Sequence, residues 1–521
     1  MFEISPFSPF IILVLPFLII VYITKLFSSS HKKLSSDDHG VHRLPKVYPI
    51  VGSTLAFLNQ PKDFLRWITE ILQCSGCSSY VLHRPLGQHQ VFTISPANVE
   101  HMLKTNFPNY PKGKSATSNL GDFLGHGIFA VDGQEWKFQR QIASHEFNTK
   151  SLRNFVEHVV ETELSSRLIP ILADAANNRT VLDFQDILKR FAFDNICRIA
   201  FGYDPEYLTP SLPHSRFAEA FEEATMISSE RTRSFFPPLW KLKRALDIGS
   251  EKQHRIAVSE VRQLARTIVN KRRTDQTNDK HLDLLSRFLK SGHVDENFVI
   301  DIVISFILAG RDTTSSALTW FFWLLSKNSD VESEILTEIA FLNNNDQNRS
   351  IYDFMKSMEY THAALCESMR LYPPVPVDTK EAAGDDVLPD GTQVSRGMRV
   401  AYHVYAMGRC ERIWGKDWAE YNPERWMTTV EENDDDGKIN MRRKFVGKDA
   451  YTYPVFQAGP RICLGKEMAF LQMKRIVAGV LGRFRVVPLT ESGVEPVYLQ
   501  GLTATMKDGL PVRVEERSAK M

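Results

Sequence analysis

The segment Phe456-Gln457-Ala458-Gly459-Pro460-Arg461-Ile462-Cys463-Leu464-Gly465 is the part of the chain that decides its fold. A single cysteine, Cys463, lies between Gly459 and Gly465, and Arg461 precedes it by two residues. The apolar run at residues 468–471 predicts that a helix begins soon after the cysteine. A cysteine in that position is close to the positive end of the helix dipole and to unpaired backbone N–H groups. Both favour the thiolate, which is the metal-binding form.

The neighbours of Cys463 indicate which metal group it binds. Flanking glycines lack Cβ and let the backbone approach a flat macrocycle, while Arg461 can reach a haem propionate and Phe456 can shield the sulfur from water. A buried, inert cysteine is the alternative. The segment resembles the haem-binding loop of the cytochromes P-450, the haem-thiolate monooxygenases. This resemblance implies a haem b group with Cys463 as the iron ligand.

Composition limits the classes of partner and the number of domains. Of 521 residues, 63 are Lys or Arg and 62 are Asp or Glu, and this balance gives no reason to expect nucleic acid as a partner. No long Gly/Ser/Pro-rich linker divides the chain after residue 45, so we expect one catalytic domain over residues 53–521. The six cysteines are scattered and indicate no disulfide framework. Cys74 and Cys77 have the spacing of half a zinc site, but a structural zinc needs four ligands.

The N-terminus predicts a membrane anchor. Residues 6–24 are nearly all apolar, and a helix of that length spans a hydrocarbon layer of roughly 30 Å. Lys25, Lys32 and Lys33 follow and should stay cytosolic. We expect residues 1–27 to be a single-pass signal anchor in the endoplasmic reticulum membrane, with the catalytic domain in the cytosol. The alternative is a cleaved signal peptide, which usually has a basic leading region. Residues 28–52 are predicted to be a tether and a proline hinge that resembles the hinge of microsomal family members.

Residues 302–318 predict a long buried helix with a polar interruption around Gly310. Glycine destabilises a helix by about 1 kcal/mol relative to alanine, so the backbone hydrogen bonds of the helix are weakened at Gly310. The alternative is a helix end at Gly310, but the apolar pattern resumes at Ala317. The segment is similar to the Ala/Gly-Gly-x-Asp/Glu-Thr motif of the family. The resemblance implies a local opening over the haem, where Asp312 and Thr313 relay protons during cleavage of dioxygen.

Two further motifs occur in the family's order. Glu367 and Arg370 share one helix face, and an exposed pair of this kind would contribute only about 0–1 kcal/mol. With Arg425 they resemble the family's buried Glu–Arg–Arg network, which is expected to hold the cysteine loop in place. Trp136 and Arg140, at i and i+4, resemble the pair that donates to a haem propionate.

A basic surface is expected on the cysteine side of the haem. It would include Lys137, Lys466, Lys474 and Arg475, and it would suit an acidic flavoprotein electron donor, since complementary charge steers encounter. The resemblance implies that electrons from NADPH arrive through NADPH-cytochrome P-450 reductase and that dioxygen is the oxidant.

Three segments, at residues 106–113, 377–391 and 402–409, resemble the plant fatty-acid ω-hydroxylases. The substrate implied is a fatty acid oxidised at its terminal carbon. The jasmonoyl–isoleucine conjugate, also oxidised at a chain end, is the alternative substrate. Two other classes are a haem-thiolate isomerase or dehydratase of hydroperoxides and a haem-binding sensor or carrier. An intact Asp312–Thr313 pair favours the monooxygenase over both.

Terminal hydroxylation requires a channel that positions the chain end. The expected channel residues are Phe123, Leu124, Ala309, Thr313, Val375, Val377, Leu502 and Thr503. Many animal fatty-acid ω-hydroxylases carry at the position of Ala309 a glutamate that esterifies the haem, so we expect non-covalent haem here. The fold implied is mainly α with a small β-rich subdomain, the cytochrome P-450 fold, preceded by one transmembrane helix. The charged run 431–437 is predicted to be a solvated surface loop.

Overall fold

The computed structural model describes residues 44–58, 64–74, 76–147, 149–274, 283–292, 295–345, 349–433, 439–491 and 493–517. The predicted membrane anchor and most of the tether lie outside these residues. Within the described ranges, no helix is both long and apolar enough to cross a membrane.

Helices make up most of the described chain between residues 96 and 371. The first group of α-helices is α1 Thr54–Leu58, α2 Phe64–Cys74, α3 Pro96–Glu100, α4 Gly113–Leu124, α5 Gly133–Ser144, α6 Thr149–Asn154, α7 Glu161–Glu163, α8 Ile169–Asn178, α9 Phe184–Phe201, α10 Arg216–Arg233 and α11 Pro237–Ala245. The second group is α12 Gly249–Thr274, α13 Leu284–Lys290, α14 Glu296–Ile307, α15 Thr313–Leu325, α16 Ser329–Asn345, α17 Ile351–Ser357, α18 Glu359–Leu371, α19 Val404–Met407, α20 Glu411–Trp414 and α21 Lys466–Leu481.

Shorter helical segments connect several of these elements. Segments with the wider π-helical hydrogen bonding are His101–Thr105, Phe155–Val160, Leu164–Leu168 and Leu308–Asp312. The 3₁₀ segments are Pro85–Gly87, Phe107–Asn109, Pro423–Trp426, Pro454–Phe456 and Gly459–Arg461.

The strands of the described residues form five small sheets. The strands are β1 Ser79–His83, β2 His89–Thr93, β3 Leu182–Asp183, β4 Asp378–Glu381, β5 Asp386–Val387, β6 Gln393–Val394, β7 Arg399–Tyr402, β8 Met427–Asn433, β9 Ile439–Phe445, β10 Phe484–Pro488, β11 Tyr498–Gln500, β12 Ala504–Met506 and β13 Pro511–Glu516. The largest sheet has the order β1-β2-β7-β4, in which only β2 and β7 are parallel. The described residues are mainly helical with small sheets, as expected, and the other sheets of two or three strands are distributed along the chain.

One long helix organises the core. It runs through α14, the π segment Leu308–Asp312 and α15 without a break, so the alternative of a helix end at Gly310 is wrong. The apolar residues of α14 pack in one hydrophobic cluster, and those of α15, including the fully buried Trp320, pack in another. The π segment therefore lies where the two halves of the core meet.

Candidate active site

The loop that carries Cys463 consists of two 3₁₀ turns followed by a helix. Its fold is closed by the Cys463 N–H, which donates to the Phe456 carbonyl at 2.8 Å, and α21 begins three residues later, as predicted. The cysteine is exposed to the cavity described below. Burial raises the pKa of the Cys463 thiol, whereas the backbone N–H groups of Gly465 and Lys466 and the charge of Arg140 lower it. The predicted effect of the helix N-terminus on the thiol pKa is present but smaller than the effect of burial. A cation bound to the sulfur would lower the pKa and reverse this order.

Gly459 and Gly465 serve different purposes. Gly459 has φ +61°, and a Cβ there would lie 1.9 Å from the Leu103 carbonyl oxygen. Its close approach is therefore to the backbone of the π segment His101–Thr105, and the expectation that it faces a macrocycle is wrong. A Cβ at Gly465 would meet only Phe147 at 3.6 Å and the Cys463 sulfur at 4.0 Å. Gly465 lines the cavity, as expected.

Cys463 lies in the wall of a cavity of about 440 Å³. Most predicted haem and channel residues line the same cavity: Trp136, Arg140, Phe456, Arg461, Leu124, Ala309, Thr313, Val375, Val377, Leu502 and Thr503. Phe123 does not. It is fully buried one residue away, with its ring edge-to-face on Phe221 at 5.3 Å between centroids, because this position of α4 faces α10 and not the cavity.

The wall next to the cysteine loop is basic. Arg461 donates from Nη2 to Asp132 Oδ1 at 2.5 Å and lies over the Trp136 ring, 4.5 Å from its centroid. Its buried Nε has no hydrogen-bond partner among the described residues. Arg140 donates from Nη2 to the Ile462 carbonyl at 2.8 Å. A guanidinium with an unused buried donor is suited to an anionic group entering the cavity.

Sequence reasoning missed three residues of this wall: Lys112, Asp378 and Lys380. Lys112 Nζ and Lys380 Nζ donate to opposite oxygens of Asp378, at 2.7 and 2.8 Å. Burial lowers the pKa of Lys380 to about 7. Burial alone would raise the pKa of Asp378, but the charges of both lysines hold it well below its ordinary value. The alternating Asp378-Thr379-Lys380 pattern of a strand was the available signal, since residues i and i+2 share a face.

These observations test whether the chain suits a haem. A thiol exposed to the cavity, an unpartnered guanidinium nitrogen at Arg461 and a basic wall beside it would suit a planar group that is held by a sulfur and carries two carboxylates. Trp136, Arg140 and Arg461, which line this part of the cavity, are the residues that would hold those carboxylates.

The π segment of the long helix places Thr313 and Asp312 differently. Thr313 lines the cavity and donates from Oγ1 to the Ala309 carbonyl at 2.6 Å. A Cβ at Gly310 would lie 2.6 Å from Ile196 Cγ1, so only glycine lets α9 pack against this turn. Asp312 is buried behind the cavity wall and accepts a 3.3 Å hydrogen bond from Thr503 Oγ1, which does line the cavity.

A chain of charged groups leads from Asp312 towards the surface. Arg311 Nη1 donates to Asp312 Oδ1 at 2.9 Å and its Nη2 to Glu222 at 3.4 Å, and Lys189 donates to Glu222 at 2.6 Å. The Glu222 side chain is about half exposed, at 49%. Burial raises the pKa of Asp312, against the charges of Arg311 and Lys189, which lower it. Because a guanidinium keeps its proton, Asp312 and Glu222 are the carboxylates of this chain of charged groups that can take up and release one.

Glu367, Arg370 and Arg425 form one buried network. Arg370 donates from Nε and Nη2 to the two oxygens of Glu367, at 2.8 Å each, and Arg425 Nε donates to Glu367 Oε1 at 3.0 Å. Trp426 Nε1 also donates to Glu367, at 2.9 Å. On the same helix, the Cys366 carbonyl accepts a 2.8 Å hydrogen bond from Tyr453, just before the cysteine loop.

The expected basic surface is smaller than predicted. Lys474 is buried and donates to the Met355 carbonyl at 3.0 Å, and burial lowers its pKa to about 8. Arg475 is half-buried and pairs with Glu161 at 2.5 Å. Lys137 is exposed and Lys466 half-buried, so only these two of the four remain as simple surface cations.

Comparison with known proteins agrees with this site. The family model described as Cytochrome P450 matches residues 43–511. The chain belongs to the cytochrome P450 family. Cytochrome P450 94A2 and cytochrome P450 94A1 of Vicia sativa are 59% and 56% identical to it, and each match covers 91% of both chains. Cytochrome P450 94B1 of Arabidopsis thaliana is 44% identical over 91% of both chains.

Membership of the family fixes the general chemistry. This cytochrome P450 is a 94A-like monooxygenase with a thiolate-ligated haem, and it takes dioxygen and electrons from a reductase. The predicted class and cofactor are thereby confirmed. The residue roles assigned above remain predictions that the geometry supports.

Proposed function

We propose that this cytochrome P450 hydroxylates the terminal carbon of fatty acids. The observation that carries the proposal is that one cavity reaches both Cys463 and Thr313 and is lined there by apolar side chains such as Leu124, Val375 and Leu502. The resemblance of residues 106–113, 377–391 and 402–409 to plant fatty-acid ω-hydroxylases supports it.

The cavity walls have separate roles in this reaction. When bound to Cys463, haem supplies the activation of dioxygen for insertion into a C–H bond. The Thr313 hydroxyl lies in the cavity wall and, with its own hydrogen donated to the Ala309 carbonyl, can accept a hydrogen bond from water there. Asp312, whose pKa is raised by burial, would take up and release the proton beside the cavity, and Arg311, which keeps its own proton, would hold Asp312 next to the half-exposed Glu222.

Selectivity for the chain end comes from positioning. A terminal C–H bond is stronger than its internal neighbours, so intrinsic reactivity favours the wrong carbons. Apolar side chains that leave room for only an extended chain end would overcome this preference by holding the reacting atoms in place.

The cellular setting is part of the proposal. Residues 1–27 anchor the enzyme in the endoplasmic reticulum membrane, and residues 53–521 form the cytosolic catalytic domain. NADPH-cytochrome P-450 reductase supplies the electrons, and Lys137 and Lys466 contribute to the surface that it meets.

The substrate proposal is tested by turnover with three compounds. The full chain, reconstituted with the reductase and NADPH, is incubated with lauric acid, oleic acid and jasmonoyl–isoleucine, and products are identified by mass spectrometry. Hydroxylation of lauric or oleic acid supports the proposal. Turnover of jasmonoyl–isoleucine alone would replace it with the alternative substrate.

A further inference from the structure

More basic residues line the cavity than the two carboxylates of a haem require as partners. Seven basic and two acidic residues line the cavity. Four of the basic residues, namely Lys112, Arg140, Lys380 and Arg461, belong to the wall beside the cysteine loop. The other three, Arg84, Arg233 and Arg399, form what we call the arginine cluster, where the four-stranded sheet meets the end of α10.

Strand register places two of these arginines on one face of the sheet. Arg399 lies opposite Gln90 on β2 and Glu381 on β4. Leu82 on β1 also pairs with Gln90, and Arg84 follows Leu82 by two residues. Paired residues and residues two apart point to the same face, so Arg84 and Arg399 share it.

The same sheet separates this cluster from the wall beside the cysteine loop. Lys380 and Glu381 are neighbours on β4 and therefore point to opposite faces. Lys380 pairs with Asp378 in the basic wall, and Glu381 is on the face of Arg399. The arginine cluster is thus a second basic region, distinct from the one that suits the haem carboxylates.

Neither Arg84 nor Arg399 is fully satisfied by the protein. Arg84 donates from Nη2 to the Arg233 carbonyl at 3.3 Å, and Arg399 donates from Nη1 to the Thr232 carbonyl at 3.0 Å. The Nε atom of each is buried and has no hydrogen-bond partner among the residues that the structure describes. Arg84 is 4% exposed. A buried hydrogen-bond donor without a partner costs free energy, so such donors in folded proteins usually bind a ligand or an ordered water.

The charge of the cluster is only partly balanced. Burial, and then the charge of Arg399, lower the pKa of Arg84 to about 9. Burial lowers the pKa of Arg399 to about 10, with the charge of Glu381 acting the other way. Glu381 is the acidic residue of this wall, and its Oε2 already accepts from the Ser115 N–H at 2.9 Å. Both arginines remain charged at neutral pH and would be stabilised by an added anion.

We propose that Arg84 and Arg399 bind the carboxylate of the substrate and so set which carbon reaches the haem. Guanidinium groups match carboxylates with paired, charge-assisted hydrogen bonds. The inference rests on the proposed function, because it requires a substrate with an acidic head group. The other interpretation is that the two arginines only join the sheet to the last turn of α10.

Head-group discrimination tests this assignment. The dissociation constants of laurate and methyl laurate are measured by isothermal titration calorimetry on the haem-loaded full chain and on the variants Arg84→Gln and Arg399→Gln. We expect each variant to bind laurate about tenfold or more weakly, the loss of one charge-assisted contact, and methyl laurate as the unchanged protein does. Arg190→Gln is the control, because Arg190 is a buried arginine that pairs with Asp186 outside the cavity.

The outcomes separate the two proposals. Equal affinity of the unchanged protein for laurate and methyl laurate overturns the carboxylate assignment. This comparison needs no variant, so it holds even if a variant fails to fold. It leaves fatty-acid hydroxylation possible. Retention of the laurate preference in both variants also overturns it. Binding of neither compound by the unchanged protein overturns the proposed function as well. A shift of hydroxylation to internal carbons in Arg399→Gln would further support the assignment.

Discussion

Arg370 and Glu367 are joined by two parallel hydrogen bonds of 2.8 Å, and both side chains are completely buried. Removing one partner of a buried ion pair costs roughly 3–5 kcal/mol, because the other charge remains without compensation. We therefore expect Glu367→Ala to abolish haem incorporation, measured as the ratio of haem to protein absorbance after purification.

Asp417→Asn provides the matched control for this variant. The Asp417 carboxylate also pairs with Arg425, at 2.9 Å, but is 42% exposed. An exposed pair contributes about 0–1 kcal/mol, so this variant should retain its haem. A stable Glu367→Ala protein with a full complement of haem would show that the network does not hold the cysteine loop.

The Thr313 hydroxyl is expected to matter for proton delivery. Thr313→Val should reduce product formation by about 100-fold, the lower range for loss of a proton-transfer group, while NADPH consumption continues. Thr319→Val is the control, because Thr319 makes the same hydrogen bond to a carbonyl four residues earlier, at 2.7 Å, away from the cavity. Equal product yields from the two variants would exclude a role for the Thr313 hydroxyl.

Because residue 309 is an alanine, we predict that the haem is bound without a covalent bond to this position. Ala309 lies in the π segment, lines the cavity and has no carboxyl group. Acid-acetone treatment should therefore extract all haem from the protein into the organic phase. Haem that remained with the precipitated protein would contradict non-covalent attachment.

From the burial of His403 we predict that the free energy of unfolding depends on pH. His403 Nδ1 accepts from the Ala406 N–H at 3.1 Å, and burial lowers the pKa of His403 to about 3. Below pH ~6.5 the unfolded state binds a proton that the folded state does not. This histidine should therefore reduce the free energy of unfolding by about 1.4 kcal/mol for each pH unit as pH falls from ~6.5 towards 3.

The variant His403→Asn tests this dependence because it keeps an acceptor for the Ala406 N–H. Urea titrations at several pH values give the slope of the unfolding free energy against pH. In the variant this slope should be smaller by about 1.4 kcal/mol per pH unit, which corresponds to one proton fewer taken up on unfolding. An identical slope in the His403→Asn variant and the unchanged protein would show that His403 is not buried in its neutral form.

Local sequence patterns predicted the helix after Cys463 and the long helix around Gly310, because apolar periodicity is a short-range signal. They did not predict where side chains point after folding. Phe123 and Leu124 are neighbours, yet only Leu124 reaches the cavity, because α10 covers the other position. Lys474 looks like a surface lysine in the sequence but is buried against Met355.

Charge alone misled at residues 431–433, and residues 434–437 of the predicted loop lie outside the described residues. Glu431, Glu432 and Asn433 are not loop residues but continue β8, where they pair with Met441, Asn440 and Ile439. Pairing with a second strand is a long-range contact that a run of acidic residues does not reveal. The arginine cluster was missed for the same reason, since Arg84 and Arg399 are brought together only by the parallel pairing of β2 with β7.

The position of the hydroxyl group on lauric acid tests the central claim most directly. The full chain, with reductase, NADPH and dioxygen, is incubated with lauric acid, and the product is located by mass spectrometry of its fragments. We predict that the hydroxyl is on the terminal carbon. Hydroxylation mainly at internal carbons, or no oxidation of any fatty acid, would contradict the account.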